Sequence, residues 1–571
     1  MCGILGGNNP KWDYEKGIQS LYHRGPDGQR VERYGDLTLA FTRLAIMDLS
    51  ENGMQPMTSM DGNVTIVYNG EIYGYDKLRR ELEHIYPFRS ESDTEVILYA
   101  YLEYGDNFID KIDGMFALAI YDRRIMKLKL YRDRTGIKPL YYYCEGNRFA
   151  FASELKALTA ACTDVKWEID YMAVYDYLFY RYIPDPKAIY KNCYRLEPAH
   201  TLVYDLKAGE IQFIKKYWKL HVNTAVGRRR KDSELCEELR EIISDSVKKQ
   251  IIADVSVGCF LSGGVDSSIT SYECSRINPG IHAYTVGFKD KQSDESAYAK
   301  MMTDRYNLNC TTRFLGYKDV ENIKGNMRVW CDEPFADTSA YPTYFVSKMA
   351  REDVTVVLTG DGGDELFGGY DKYRYWVETL DGKKVDSELI SRLGKKLKLA
   401  DYMNVKNVKK YINTSFENIM LSFLQNNPQK AEEYRAMWKI DKDYDPGWHF
   451  KKYYKKELPP LTRARYLDYK TYLVGAILTK VDRVSMANSL EVRVPLLAKE
   501  VVEFAFSLSE EECYSTKELK RLLKKAYEDV IPKELLYRKK VGFCVPLTYV
   551  GSRNIPDSYK VLEREWKELI F

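Results

Sequence analysis

The chain has 571 residues, 45% hydrophobic and 30% charged, a globular composition too long for one ordinary core. A formal charge of +3 excludes the strong field of a nucleic-acid or anionic-membrane binder. Eleven cysteines with no paired CxxC spacing, no apolar run near the roughly 18 residues that span a bilayer, and no signal-type N-terminus predict a reducing, cytoplasmic setting and no membrane partner.

In chain order, MCGILGG places a cysteine second, followed by a small apolar stretch that reads as a buried first strand. Runs at 37–49, 64–73, 115–122, 127–133 and 148–153 are β-rich and bounded by Gly, Asn and Asp. Helical patterns interrupt them at 75–85 and 92–105, the second with Ser92 or Asp93 at the N-cap position. A hairpin is predicted within 204–218. The segment 219–235 is polar and basic and reads as a linker, its RRRK run as solvated charge. After it strands and helices alternate: helix 233–251, strand 254–264 into a glycine turn, helix 266–277, strand 281–288, helix 297–307 and strand 354–360. That rhythm predicts a parallel, doubly wound sheet behind a layered α+β domain. Beyond residue 370 the pattern is mostly helical, down to 515–531.

The sharpest local chemistry is LSGGVDSS (261–268) at a strand-to-helix junction. Backbone N–H groups of Gly263 and Gly264 next to a helix N-terminus form a cradle for phosphate oxygens, and Ser262, Ser267 and Ser268 add hydroxyl donors. The turn lacks the lysine of a GxxxxGK[ST] loop, so transfer of a γ-phosphate fits poorly. Adenylation, with pyrophosphate leaving, fits better, and Asp266 is placed to hold the Mg²⁺ that neutralises it.

SGGVDSS resembles the pyrophosphate loop of the ATP-pyrophosphatases. Together with MCGI, HRGPDG (23–28), RLAIMD (43–48), NGEIY (69–73), SDTEVI (92–97), RDRTGIKPLYY (132–142), LTGDGGDELFGGY (358–370), KVDRVSMANSLEVRVPLL (480–497) and RKKVGF (538–543), it makes the chain similar to the glutamine-hydrolysing asparagine synthetases over most of its length. The resemblance implies a four-layer αββα N-terminal-nucleophile glutaminase at 1–218, a linker at 219–235 and an ATP-pyrophosphatase-type synthetase domain at 236–571. It implies that Cys2, freed of Met1, is the glutaminase nucleophile, its own α-amine having an ordinary pKa near 7.7–8.0 suited to taking the thiol proton. Asn69 and Gly70 would form the oxyanion hole. Arg43 would hold the glutamine carboxylate, and Glu71 and Asp93 its amino-acid end, with Arg24 and Asp27 supporting. In the second domain the resemblance assigns Leu261, Val286, Thr359 and Gly360 to the adenosine and Lys520 to the phosphates, with Lys517 competing for that role. Asp364 would share Mg²⁺ with Asp266. An internal apolar passage for ammonia and a homodimer are further family expectations.

Two positions depart from the family pattern. Asp361 stands where the best-known bacterial members carry Glu for the ammonia step, and Ala498 where Asp is usual. They keep two acceptor classes open: aspartate, or another carboxylate such as a uronic acid or a peptide precursor. DEPFADTSA (332–340) lies where the acceptor should bind.

Overall fold

The computed structural model describes residues 1–571 except 292, 374–427, 515–517, 541, 547–548 and 550–557. The expected helical stretch just after residue 373 and Lys517 lie outside the described residues.

Residues 1–216 fold around two antiparallel sheets. Their strands are β1 (Gly3–Gly7), β2 (Gly28–Tyr34), β3 (Leu37–Arg43), β4 (Met57–Thr58), β5 (Val64–Ile72), β6 (Gly114–Asp122), β7 (Lys127–Arg132), β8 (Tyr141–Glu145), β9 (Arg148–Ala152), β10 (Cys193–Arg195), β11 (His200–Asp205) and β12 (Glu210–Lys216). One sheet runs β10-β8-β9-β1-β3-β2, the other β12-β11-β7-β6-β5-β4. The two pack face to face through a core that includes Ile4, Leu39, Phe41, Val67, Ala117, Leu130 and Phe151. Helices Tyr14–Gln19 and Leu155–Ala161 cover the first sheet, and helix Asp93–Tyr104 covers the second. This is the αββα sandwich expected of the N-terminal part. In it β1 lies between β9 and β3, so the residue that opens β1 is held by a buried central strand.

The expected run 37–49 stops at Arg43. Arg43 donates to the carbonyls of Asp48 and Ser50, and these bonds fold 44–50 into a loop rather than a longer strand. Strand β2 escaped the sequence reading because it is an edge strand, partly exposed along its whole length and without an apolar alternation.

The helix Asp232–Gln250 begins inside the polar stretch 219–235. Beyond it a parallel sheet runs β15 (Asn309–Leu315), β14 (His282–Phe288), β13 (Val257–Phe260), β16 (Val356–Leu358), β17 (Glu491–Arg493). The order reverses at β13, so the loops after β13, β14 and β16 meet where open α/β sheets bind ligands. Among the described residues no helix is long and apolar enough to cross a membrane.

Candidate active sites

The first site gathers at the start of β1. Cys2 is 9% exposed, its backbone N–H donating to Asn69 Oδ1 at 3.0 Å. Its carbonyl accepts from Arg24 Nε at 3.1 Å. Burial pushes the Cys2 thiol up, opposed by the positive chain terminus, a contact to the Leu44 carbonyl and Arg43. A thiol held in its neutral form needs a base beside it before it can attack.

Asn69 is fully buried, and its Nδ2 has no hydrogen-bond partner. Buried amide donors are rarely left unpaired, so this one marks a place where an acceptor arrives. Gly70 follows on β5, at the close approach to β6: a Cβ there would sit 2.2 Å from the Met115 carbonyl oxygen. Along β5 the N–H groups of Tyr68 and Ile72 face the open edge, bonded to Gln55 Oε1 and Asp93 Oδ2 at 2.6 and 3.1 Å. By the two-residue alternation of a strand the Gly70 N–H faces that same edge between them. Asn69 Nδ2 and Gly70 N–H are the two donors an oxyanion would meet.

Glu71 and Asp93 close the far end. Asp93 opens helix Asp93–Tyr104, capped by Ser92 as the sequence suggested. Its Oδ2 also accepts from the Tyr68 hydroxyl at 2.8 Å. Burial pushes the Asp93 carboxyl up to about 6. Glu71 is raised as well, by burial and by Asp93, against the nearby Arg493 guanidinium 3.5 Å away. Arg43 is buried with its fork on the Asp48 and Ser50 carbonyls. Arg24 makes the bidentate pair with Asp482 (2.8 and 2.9 Å) and another bond to Glu154 (2.6 Å), while Asp27 accepts from Ala45 N–H at 2.8 Å.

With Met1 in place its ammonium lies 2.7 Å from Glu491 Oε2 and its side chain packs among Leu44, Ile46, Val356 and Met486. Met1 is thus enclosed between the two halves of the chain.

The second site is a cavity of about 810 Å³ above the parallel sheet. Gly263 takes φ +75°, a left-handed turn that suits glycine. The loop is tied by Ser262 N–H and Oγ to Ser267 Oγ at 3.2 and 3.0 Å. Helix Val265–Ile277 starts directly behind it. Leu261, Ser262, Gly264, Asp266, Ser267, Val286, Thr359, Gly360, Asp361, Asp364 and Lys520 all border the cavity. Ser268 does not: it is fully buried on the helix side, so its place as a nucleotide ligand is corrected. Gly263 shapes the turn, and its carbonyl accepts from Arg538 at 2.9 Å.

Gly360 must be glycine because a Cβ would meet the Asp266 carbonyl carbon at 2.5 Å. That close approach brings the β13 and β16 loops together and sets Asp266 beside Asp364. Lys520 bridges them, pairing with Asp266 and, at 2.5 Å, with Asp364, and Lys540 holds the other Asp364 oxygen at 2.5 Å. Burial opposes ionisation of both acids. For Asp364 the two lysines outweigh it and hold the carboxyl below its usual range; for Asp266 burial wins and raises it. Among the described residues of the expected helix 515–531, the helical part is Arg521–Ala526, because Lys520 adopts φ +54° and turns its ammonium into the site. Asp361 accepts from Thr359 Oγ1 at 2.8 Å. Sequence reasoning passed over Lys540 and Arg538, both in RKKVGF, as well as Glu491 and Arg493, whose partners lie hundreds of residues away.

These two sites on these two folds define an N-terminal-nucleophile amidotransferase joined to an ATP-pyrophosphatase-type synthetase. Residues 1–218 match the glutamine amidotransferase domain and residues 238–558 match asparagine synthase. Asparagine synthetase (glutamine-hydrolyzing) 1 of Bacillus subtilis is 34% identical over 566 residues, covering 96% of this chain and 88% of that protein. Asparagine synthetase (glutamine-hydrolyzing) 3 of the same organism is 29% identical over 572 residues, covering 95% and 86%. The chain belongs to the asparagine synthase family.

Proposed function

We propose that this enzyme converts aspartate to asparagine, using ATP and ammonia released from glutamine, with residues 1–218 as the glutaminase domain, 219–235 as the linker and 236–571 as the synthetase domain. The reading is carried by one observation above others: Cys2 and the unpartnered Asn69 Nδ2 meet in one half, while Asp266, Asp364 and Lys520 meet in a nucleotide-sized cavity of the other.

Once Met1 is removed, the Cys2 α-amine takes the thiol proton and the sulfur attacks the glutamine amide carbon. Asn69 Nδ2 and Gly70 N–H receive the oxyanion, ammonia leaves and water later cleaves the thioester to give glutamate. Arg43 holds the substrate carboxylate, and Glu71 and Asp93 hold its ammonium. Because Met1 is enclosed between the halves, its removal precedes their docking. The space it vacates is apolar, bordered by Leu44, Ile46, Val356 and Met486. It supports an ammonia passage from Cys2 towards the strand that precedes Thr359.

In the synthetase half the glycine turn and Ser262 and Ser267 cradle the pyrophosphate, and Leu261, Val286, Thr359 and Gly360 take the adenosine. Asp266 and Asp364 fit a Mg²⁺ ion, since Asp266 Oδ1 is buried without a hydrogen-bond partner and Mg²⁺ sites use one or two carboxylates plus phosphate oxygens. When bound, that ion neutralises charge building on the leaving pyrophosphate. Lys520 and Lys540, now paired with these acids, swing to the phosphates. The aspartate β-carboxylate attacks the α-phosphate, and ammonia displaces AMP from the acyl-adenylate beside Asp361.

Supplying glutamine, ATP and Mg²⁺ with a panel of carboxylates tests this. Asparagine, AMP and pyrophosphate formed in equal amounts with aspartate are expected. ATP consumption with a different acid, and none with aspartate, would overturn the acceptor.

A further inference from the structure

Among the described residues, one buried charged side chain on the cavity wall is left over. Lys480 is 5% exposed, borders the cavity, and makes no hydrogen bond or ion pair with any described residue. A buried ammonium without a counter-charge is costly, so such a group persists where an anion visits it.

The local backbone aims it there. Residues Leu473–Leu478 form a π-helical turn that runs into the α-helix Thr479–Met486, and Thr479 Oγ1 bonds the Val474 carbonyl five residues back at 3.1 Å. Such turns re-register a helix face, often at functional sites. Here Tyr472, Ala476, Ile477, Lys480 and Val481 all come to the cavity.

Lys480 does not belong to the phosphate cluster. The cations that act on Asp266 and Asp364 are Lys520 and Lys540. Asp337 borders the same cavity as Lys480. One Asp337 oxygen is fixed by Ser339 N–H and Oγ at 2.9 and 2.7 Å. The cavity wall therefore offers a carboxylate and a lysine, the complement of an amino-acid ammonium and carboxylate.

We propose that Lys480 holds the α-carboxylate of the amino-acid acceptor, with Asp337 receiving its α-ammonium, so that the β-carboxylate is the one presented to the nucleotide. This rests on the acceptor reading above. It makes Lys480 and Asp337 the residues that separate an amino acid from acids without that head group.

The test compares full-length wild type with Lys480→Met and Lys480→Arg, measuring pyrophosphate release with ammonium as nitrogen source. Acceptors are aspartate and isoasparagine, which carries an α-carboxamide in place of the carboxylate. For Lys480→Met the KM for aspartate is expected to rise ~10- to 100-fold while the KM for ATP stays within about twofold. The wild-type preference for aspartate over isoasparagine should fall towards unity, and Lys480→Arg should recover part of it. Unchanged glutaminase activity shows that each variant is folded. A raised KM for ATP with an unchanged KM for aspartate, or discrimination equal to wild type, would overturn the proposal. If wild type ignores aspartate, the acceptor reading fails on its own. The same comparison on the acid it does use, against that acid's amide, then decides the role of Lys480.

Discussion

Replacing Asn69 with alanine isolates what its side chain does. Two effects on stability oppose each other. The variant strips Oδ1 from the Cys2 N–H, leaving a buried donor without its 3.0 Å partner, a loss of about 1–3 kcal/mol. It also deletes Nδ2, a buried donor that already lacks a partner and already carries a penalty of the same order. The melting temperature should therefore move little. Catalysis has no such offset. Removing one preorganised oxyanion donor costs about 2.7–4 kcal/mol, or ~10²–10³ in kcat. Asn69→Ala should lower glutaminase kcat by that factor with KM for glutamine nearly unchanged, since the donor is engaged only when the carbonyl becomes an oxyanion. Synthesis from ammonium should stay within about twofold of wild type. The assay is glutamate release by the purified enzyme, paired with AMP formation from ammonium. A glutaminase kcat within about threefold of wild type would refute the oxyanion role, and an equal fall in both activities would refute the separation of the sites.

Cys2→Ala should abolish glutamine-driven synthesis and spare synthesis from ammonium, read as asparagine formed from each nitrogen source. Lys520→Met should abolish both, because it acts at the nucleotide. It should also lower stability by ~3–5 kcal/mol in a denaturant titration, since it strips the cation shared by Asp266 and Asp364; full activity would remove Lys520 from the phosphate site. Asp93 gives a pH signature. Burial raises its folded pKa to about 6, so its contribution to stability is complete below its unfolded value near 3.9 and is lost as pH rises through about 6. The carboxylate that pairs with the substrate ammonium exists only above that pH. kcat/KM for glutamine should fall as pH drops through about 6, by ~10-fold per unit. Asp93→Asn, already without the charge, should be slow and lack that limb. The same limb in Asp93→Asn would assign it to another group.

What the sequence made legible was local. Ser92 or Asp93 before an apolar helix marks a cap, and Ser92 takes it. A strand, a glycine pair and a helix give the phosphate turn. Both need only neighbours a few residues apart. Edge strands β2 and β15 were illegible because an edge exposed to water keeps few of the apolar alternations that betray a strand. β17 has three residues, too few for any period. Lys520 lies outside the helix expected for it. Its surroundings have helical periodicity, yet two acids from the first turns of distant helices outweigh local propensity and hold its backbone in the left-handed region. Ser268 fails for the opposite reason, since a helix turns each successive residue by about 100° and carries it away from the cradle.

The same distance in sequence explains why the two halves share one interior. Glu491 and Arg493 lie on β17, which pairs with β16 so that Leu358 faces Arg493, and the Thr359 N–H donates to the Arg493 carbonyl at 3.0 Å. From that strand Arg493 reaches Glu71 of the proposed glutamine pocket, while Glu491 faces the chain terminus. The strand that positions the Thr359 loop thus also supplies the counter-charge for Glu71, as the proposed pairing of the two sites requires. Arg24 and Asp482 repeat the pattern, both buried, joining the carbonyl of Cys2 to the helix that carries Lys480. Buried ion pairs of this kind add little net stability, because desolvation offsets attraction, but their geometry is demanding. Their value here is register: when the halves dock in a way that satisfies Arg24 and Arg493, Cys2 and Thr359 are fixed relative to each other, as a reaction passing ammonia between the two sites requires.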